Sequence, residues 1–353
     1  MVYNIRKLLQ YDVLLLVCVF ILCENSILSM EEYKMANLNN LFGKFNSEIT
    51  LSKNKRESLK TSRDALRADV KDWFSDNDKI QPSFHGQGSY SMKTLINPIN
   101  GKDYDIDDGI YINGYEDSEI DEWPATSTVH SWIKKAVEDR TIADAIDKAT
   151  CVRISYAKGY HVDLPAYITK DDVAYLAHKG KGWFVSDPKA FTDWFVGKVN
   201  NNLIYGEQLR SVVKYLKAWK DYTGNPLKGI EITVLATKSF CKYEGRDDKS
   251  LRETVNNIIN EIEYNFHCYK PVAPYEDLFE NTTETRKNNI ITGLKALKDN
   301  LDNAMDETDE KKASEILRDK AFGTRFPLGK ETKKSNYTAS NAPGVLKSDG
   351  RSA

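Results

Sequence analysis

Residues 86–109 read GQGSYSMKTLINPINGKDYDIDDG, and the order of features in this stretch decides the fold. A Gly88-Ser89 turn comes first, and Asp105-Ile106-Asp107 follows 16 residues after the serine. Phosphoryl transfer needs both parts. A turn rich in backbone N–H can hold a triphosphate, and paired carboxylates can hold a divalent cation against it.

Side chains alternate across a strand, so residues i and i+2 share a face. Tyr104, Ile106, Ile110 and Ile112 have one parity and are expected in a core. Asp105 and Asp107 have the other and project side by side. Adjacent like charges repel unless a cation lies between them, and hard oxygen donors favour Mg²⁺ or Mn²⁺. Asp103 keeps the same i+2 spacing to Asp105, so a shifted register stays open. Asp108 breaks the apolar parity and is expected at a bend beside Gly109.

A third carboxylate follows. Cys151 to Ile168 reads as a hairpin. Val152, Ile154 and Tyr156 alternate, Ala157-Lys158-Gly159 turns, and Val162 and Leu164 return on one face. Arg153, His161 and Asp163 fall on the other, so Asp163 can join Asp105 and Asp107 across neighbouring strands. Outward from here the chain predicts helix over Leu38 to Phe74, a short strand over Pro82 to Gln87 and a helical crossover over Thr126 to Asp147. A helix from Pro188 to Val199 follows. This is an α+β palm with a mixed sheet.

The rest is largely helical. Gly206 to Tyr222 carries an apolar stripe of Leu209, Val212, Val213, Leu216 and Trp219. Ile230 to Tyr243, Leu251 to Phe266 and Thr285 to Leu317 give further helices. The first of these helices also bears Arg210, Lys214, Lys217 and Lys220. Lys214 and Lys217 are i, i+3 neighbours, a candidate phosphate-binding pair, with Arg153 a second source of positive charge.

The 353 residues carry a net charge of −2, which gives no general argument for nucleic-acid binding, and no stable nucleic-acid partner is expected. Apolar content of 41% supports a packed core. Five cysteines without Cys-x-x-Cys spacing suggest neither zinc nor a disulfide framework, and a cytoplasmic setting follows. The five histidines are scattered and form no metal cluster in the sequence. Residues 1–34 hold an apolar run from Val13 to Cys23. It is too short to span a bilayer and is expected outside the folded enzyme, which spans a palm at 35–200 and a helical lobe at 201–328. From 329 to 353 apolar content collapses into a tail that buries nothing.

The chain resembles the cGAS/DncV-like nucleotidyltransferases of bacterial anti-phage systems. Gln87-Gly88-Ser89-Tyr90-Ser91-Met92, Asp103 to Gly109, and His161-Val162-Asp163-Leu164-Pro165 carry the resemblance. So do Leu209 to Trp219, Pro274-Tyr275-Glu276-Asp277-Leu278 and Ala321 to Pro327. It implies a polymerase-β-like palm. It also implies two Mg²⁺ (Mn²⁺ able to substitute) on Asp105, Asp107 and Asp163. Gln87, Gly88, Ser89, Tyr90, Arg153, Lys214, Lys217 and Asp277 would contact nucleotide. The implied activity joins NTPs, ATP and GTP first, into a cyclic di- or trinucleotide such as 3′,3′-cyclic GMP-AMP. Linear transfer onto RNA or protein, or an inactive nucleotide sensor, are the alternatives. Some relatives are encoded beside E1/E2-like ligases that act on the synthase C-terminus, so Gly350-Arg351-Ser352-Ala353 is a candidate conjugation end. Where relatives place a phosphate-touching serine after the lysine helix, this chain has Lys228-Gly229-Ile230.

Overall fold

The computed structural model describes residues 37–101 and 103–331. The expectations for residues 1–34 and for most of the tail fall outside them. Helix α1 (Asn39–Ile49) turns Leu41, Phe42, Phe45 and Ile49 inward. The chain breaks at Thr50, and Ser52 caps α2 (Lys53–Asp76) by accepting from the Lys55 N–H. The single helical run expected here is therefore two helices.

Strand β1 (Ser83–Gln87) leads through the one-turn helix α3 (Gly88–Ser91) to β2 (Tyr104–Tyr111). Helix α4 spans Thr126–Ala136 only. The crossover is shorter than expected because Glu138-Asp139-Arg140-Thr141 has no apolar position and Ile142 is fully exposed. The chain instead forms β3 (Ile146–Asp147), then the hairpin β4 (Val152–Tyr156) and β5 (Tyr160–Leu164). Strands β6 (Ala166–Lys170), β7 (Val173–His178) and β8 (Gly182–Val185) complete the sheet.

The strand order is β3-β4-β5-β2-β6-β7-β8, with β1 also paired to β2. Strand β2 is central, parallel to β5 and β6 and antiparallel to β1. The sheet is thus mixed. Its core joins Leu59, Leu66, Val70 and Phe74 of α2 with Ile106, Ile110, Val129, Ile133, Val152 and Val162. The fold is α+β with a polymerase-β-like palm.

Helices α5 (Pro188–Asn201), α6 (Gly206–Thr223), α7 (Gly229–Lys238), α8 (Asp247–Tyr264), α9 (Glu284–Asp306) and α10 (Glu310–Leu317) follow. They enclose a second core. Phe42 and Phe45 of α1 meet Tyr215, Phe322 and Phe326 there, with ring centroids 4.8–6.0 Å apart across the elements. The Ala321 to Pro327 motif therefore closes back onto α1 and α6. Helices α1 and α5 contribute to this helical core although their residues precede 201.

Candidate active site

The ladder between β2 and β5 places Asp105 opposite His161 and Asp107 opposite Asp163. The ladder between β4 and β5 adds Arg153 opposite Asp163. Five ionisable side chains thus converge on one sheet face from two rungs, as the parity reading required. Strand β1 sets Gln87 against Asp107, so the Gly88-Ser89 turn lies directly beside the carboxylates. Gly88 has φ +68°, and a Cβ there would lie 2.4 Å from Asp107 Oδ2. Only glycine fits both the backbone angle and the space.

A cavity of about 590 Å³ opens in front of this turn. Gly88, Ser89, Asp103, Asp105 and Asp107 line one side, with Lys217, Lys220 and Asp221 of α6 on another. Met92, Leu95, Ile96, Phe191, Ile230 and Ile232 give it an apolar region. Phosphate-sized charge and a flat apolar ring can therefore be held in one chamber.

The carboxylates are crowded. Asp107 is pushed up to about 8, first by burial and then by the charges of Asp105 and Asp163, which Arg153 only partly offsets. Asp163 is engaged by Arg153 through two hydrogen bonds of 2.6 Å. Asp105, His161 and Asp163 can each present a ligand atom within 4.8 Å of the others, so this trio could hold a metal ion. The donor set fits a divalent cation, because the local negative charge exceeds what the protein supplies to balance it.

The expected residues divide in two. Gly88, Ser89, Asp105, Asp107 and Lys217 come together at the cavity. Asp163 and Arg153 stand behind the aspartate pair and do not line it. The Lys217 ammonium donates to the Thr94 hydroxyl at 3.0 Å and to its carbonyl at 3.2 Å. Burial is the main force pushing it down to about 8, against the pull of Asp105. Lys214 is not brought to the cavity. It is buried and donates to Thr50 Oγ1 at 3.0 Å, and Lys220, one turn beyond Lys217, takes the place at the wall. Helix spacing puts both Lys214 and Lys220 beside Lys217, and only the packing of α1 decides between them.

Four other expected contacts point elsewhere. The Gln87 amide donates to the Tyr167 hydroxyl, and the Tyr90 hydroxyl reaches the Arg56 carbonyl. Arg153 is committed to Asp163. Asp277 accepts from the Cys268 and Phe279 N–H groups and pairs with His267, closing a turn of the helical lobe. Asp108 is not at a bend. It lies within β2 on the core-facing side, fully buried, where α2 supplies Arg67 as a bidentate partner. Asp103 precedes the strand and is exposed, so the pair is Asp105 and Asp107.

Residues 82–167 match the family model described as the nucleotidyltransferase domain of DncV-like cyclic GMP-AMP synthases. This stretch holds the Gly88-Ser89 turn, the Asp105/Asp107 pair and Asp163, and it is similar to that nucleotidyltransferase domain. A curated relative in Escherichia albertii, named cyclic GMP-AMP synthase, is 28% identical over 232 residues, covering 62% of this chain and 49% of its own. A Vibrio cholerae protein of the same name is 26% identical and covers 53% of each chain. This chain thus spans about half the length of the curated relatives it matches. Among solved structures, V. cholerae DncV in complex with the linear intermediate pppA(3′,5′)pG gives a TM-score of 0.70 at 19% identity. The match covers 84% of this chain and 100% of that one. It shows the fold.

Proposed function

We propose that this chain joins ATP and GTP into a cyclic oligonucleotide, 3′,3′-cyclic GMP-AMP in the first instance, releasing pyrophosphate as part of a cytoplasmic anti-phage response. One observation carries this reading. The Gly88-Ser89 turn, the Asp105/Asp107 pair and Lys217 open onto one cavity that also has an apolar region. The names of the curated relatives support the choice of product. Complexes of the structural neighbour with GTP support the choice of substrate.

Asp105, Asp107 and Asp163 would hold two Mg²⁺, with Mn²⁺ able to substitute. Bound there, the ions neutralise phosphate charge and favour the ionised 3′-hydroxyl. The chain's own groups do the rest. Gly88 leaves room for a phosphate against the backbone, and Ser89 offers a hydroxyl and an N–H. Lys217 sets a cation where charge builds on the departing pyrophosphate. Met92, Ile96 and Phe191 exclude water around the base. Arg153 keeps Asp163 turned toward the aspartate pair.

The test is to supply the purified chain with Mg²⁺ and all four NTPs and to identify products by mass spectrometry. A cyclic product with ATP and GTP masses supports the proposal. Linear chains, or protein-bound nucleotide, would support linear transfer instead. No turnover under any NTP combination would support a sensor.

A further inference from the structure

A smaller cavity of about 220 Å³ lies behind the Gly-Ser turn. Leu51, Arg56, Tyr90, Ser91, Lys93 and Leu95 line it, and none of these is a carboxylate. Tyr90 and Ser91 belong to α3, and Leu95 also lines the larger cavity, so one short stretch of chain separates the two. The positive charges here lack counter-ions. Arg56 gives one N–H to the Leu51 carbonyl at 3.2 Å, and neither it nor Lys93 forms an ion pair among the described residues. Lys214 approaches from α6. It is 8% exposed, and its partner is the hydroxyl of Thr50, the residue before Leu51. Burial pushes its ammonium down, and the charge of Arg56 pushes the same way. The carboxylates that act on Lys214 are engaged elsewhere, Glu207 by Arg210 and Asp247 by Tyr215 and Gln208. Cations gathered away from water without an anion are a costly arrangement.

We propose that Arg56 and Lys93, backed by the charge of Lys214, form an oxyanion site behind the Gly-Ser turn that takes a phosphoryl group. A guanidinium fork matches a tetrahedral oxyanion, and Arg56 keeps N–H groups for two of its oxygens. The Ser91 hydroxyl has no partner among the described residues and offers a further donor. A Cβ on Gly86 would lie 2.9 Å from Ser91 Oγ, and Gly86 pairs with Asp108 across the ladder. Ser91 therefore lies on the α2 side of the sheet, away from Asp105 and Asp107, and Asp108 on that side is already balanced by Arg67. The volume falls below the roughly 300 Å³ at which pockets begin to hold drug-sized ligands. The ligand is thus a free phosphate ion or the terminal phosphoryl group of a monoester whose remainder stays in solvent. The site shares no side chain with the aspartate cluster, and binding there does not rest on the transfer reading.

The test uses the full chain without metal or nucleotide at low ionic strength, titrated calorimetrically with orthophosphate and, separately, with glycerol phosphate. Saturable binding to wild type is expected, weakened about tenfold or more by Arg56→Met and about threefold or more by Lys93→Met. Lys217→Met, which removes a cation from the larger cavity, should leave this binding within about twofold. Orthophosphate binding alone identifies the free ion, and glycerol phosphate binding at least as tightly identifies a phosphoryl-bearing ligand. Arg56→Met also loses the Leu51 bond, so phosphate-free melting checks its fold, and the exposed Lys93 gives the second variant. Affinity unchanged in both Arg56→Met and Lys93→Met overturns the proposal. So does binding that vanishes in Lys217→Met, which would assign the anion to the larger cavity, or no binding of either ligand up to about 10 mM. None of these outcomes needs turnover, so the anion site and the transfer reaction can fail separately.

Discussion

Asp107 is the residue on which the electrostatics of the site turn. Its carboxyl titrates near 8 in the folded chain, above the ordinary carboxylate range, because burial and two neighbouring carboxylates disfavour its charge. The folded state therefore holds an extra proton between roughly pH 4 and pH 8. The linked stability is fully present below the unfolded-state value and is lost as pH rises through about 8. Asp107→Asn mimics the protonated form and removes that loss. Metal-free melting curves should show the variant near wild type at about pH 4 and several degrees above it at about pH 8. The same variant should have no transferase activity. Equal melting temperatures for the two proteins across this range would contradict the crowding.

Lys217 reaches about 8 from the other side for the same reason, since burial disfavours its ammonium and pushes it down. kcat/KM should therefore fall above about pH 8, and Lys217→Arg should move that limb upward because a guanidinium stays charged. Lys217→Met should lower kcat/KM by about 1.5–3 kcal/mol, as expected for loss of a charge-assisted contact. It also loses the Thr94 bonds, so melting should drop modestly. At this scale the sequence carried much of the site. Alternation exposed Asp105, Asp107 and Asp163, and helix spacing exposed Lys217. It set His161 on the face of Asp163 but gave it no role, and that it stands opposite Asp105 depends on the register between two strands. It also misplaced Lys214, which shares a helix face with Lys217 but meets Thr50 across a tertiary contact.

Between elements, two contacts fix the carboxylate strand. The first is the approach of the Gly88 turn to Asp107. Gly88→Ala must place a methyl at a positive φ and into the carboxylate, so Asp107 moves. Activity should fall far more than melting temperature, and an active Gly88→Ala enzyme would show that the turn does not set Asp107. The second is Arg67 of α2 against buried Asp108 of β2. Removing Arg67 alone leaves an unpaired buried charge, and Arg67→Met should cost about 3–5 kcal/mol. The double variant Arg67→Met, Asp108→Leu should recover much of that in denaturant unfolding. Asp108 shares its parity with Ile106 and Ile110, so alternation had marked its face as core. What the sequence did not show was a cation 41 positions upstream that lets a carboxylate stay there.

Across the whole molecule, the palm core and the helical core meet at the cavity. The segment after the Gly-Ser turn is held from the helical side. Arg210 donates to the Met92 carbonyl, Lys217 to Thr94, and Arg325 to the Asn97 carbonyl. Arg325 also donates to the Ala218 carbonyl, so the closing motif ties this segment to α6. Arg325→Met should raise amide exchange at Ile99, whose N–H bonds Asp221, and raise KM more than it lowers kcat. Unchanged exchange there would leave the tie without a role. The α+β plan was legible because alternating strands at 104–112 and 152–164 are followed, from Pro188 onward, by one helical apolar stripe after another. The strands β7 and β8 were not singled out, since short runs such as Val173 to His178 take their identity from the sheet edge they join. The central claim is that one cavity transfers nucleotides. Pyrophosphate release from ATP plus GTP with Mg²⁺ tests it most directly, measured side by side for wild type, Asp107→Asn and Lys217→Met. Rapid release by wild type, none by Asp107→Asn and slowed release by Lys217→Met is the result expected here. Release by Asp107→Asn at the wild-type rate would contradict the account.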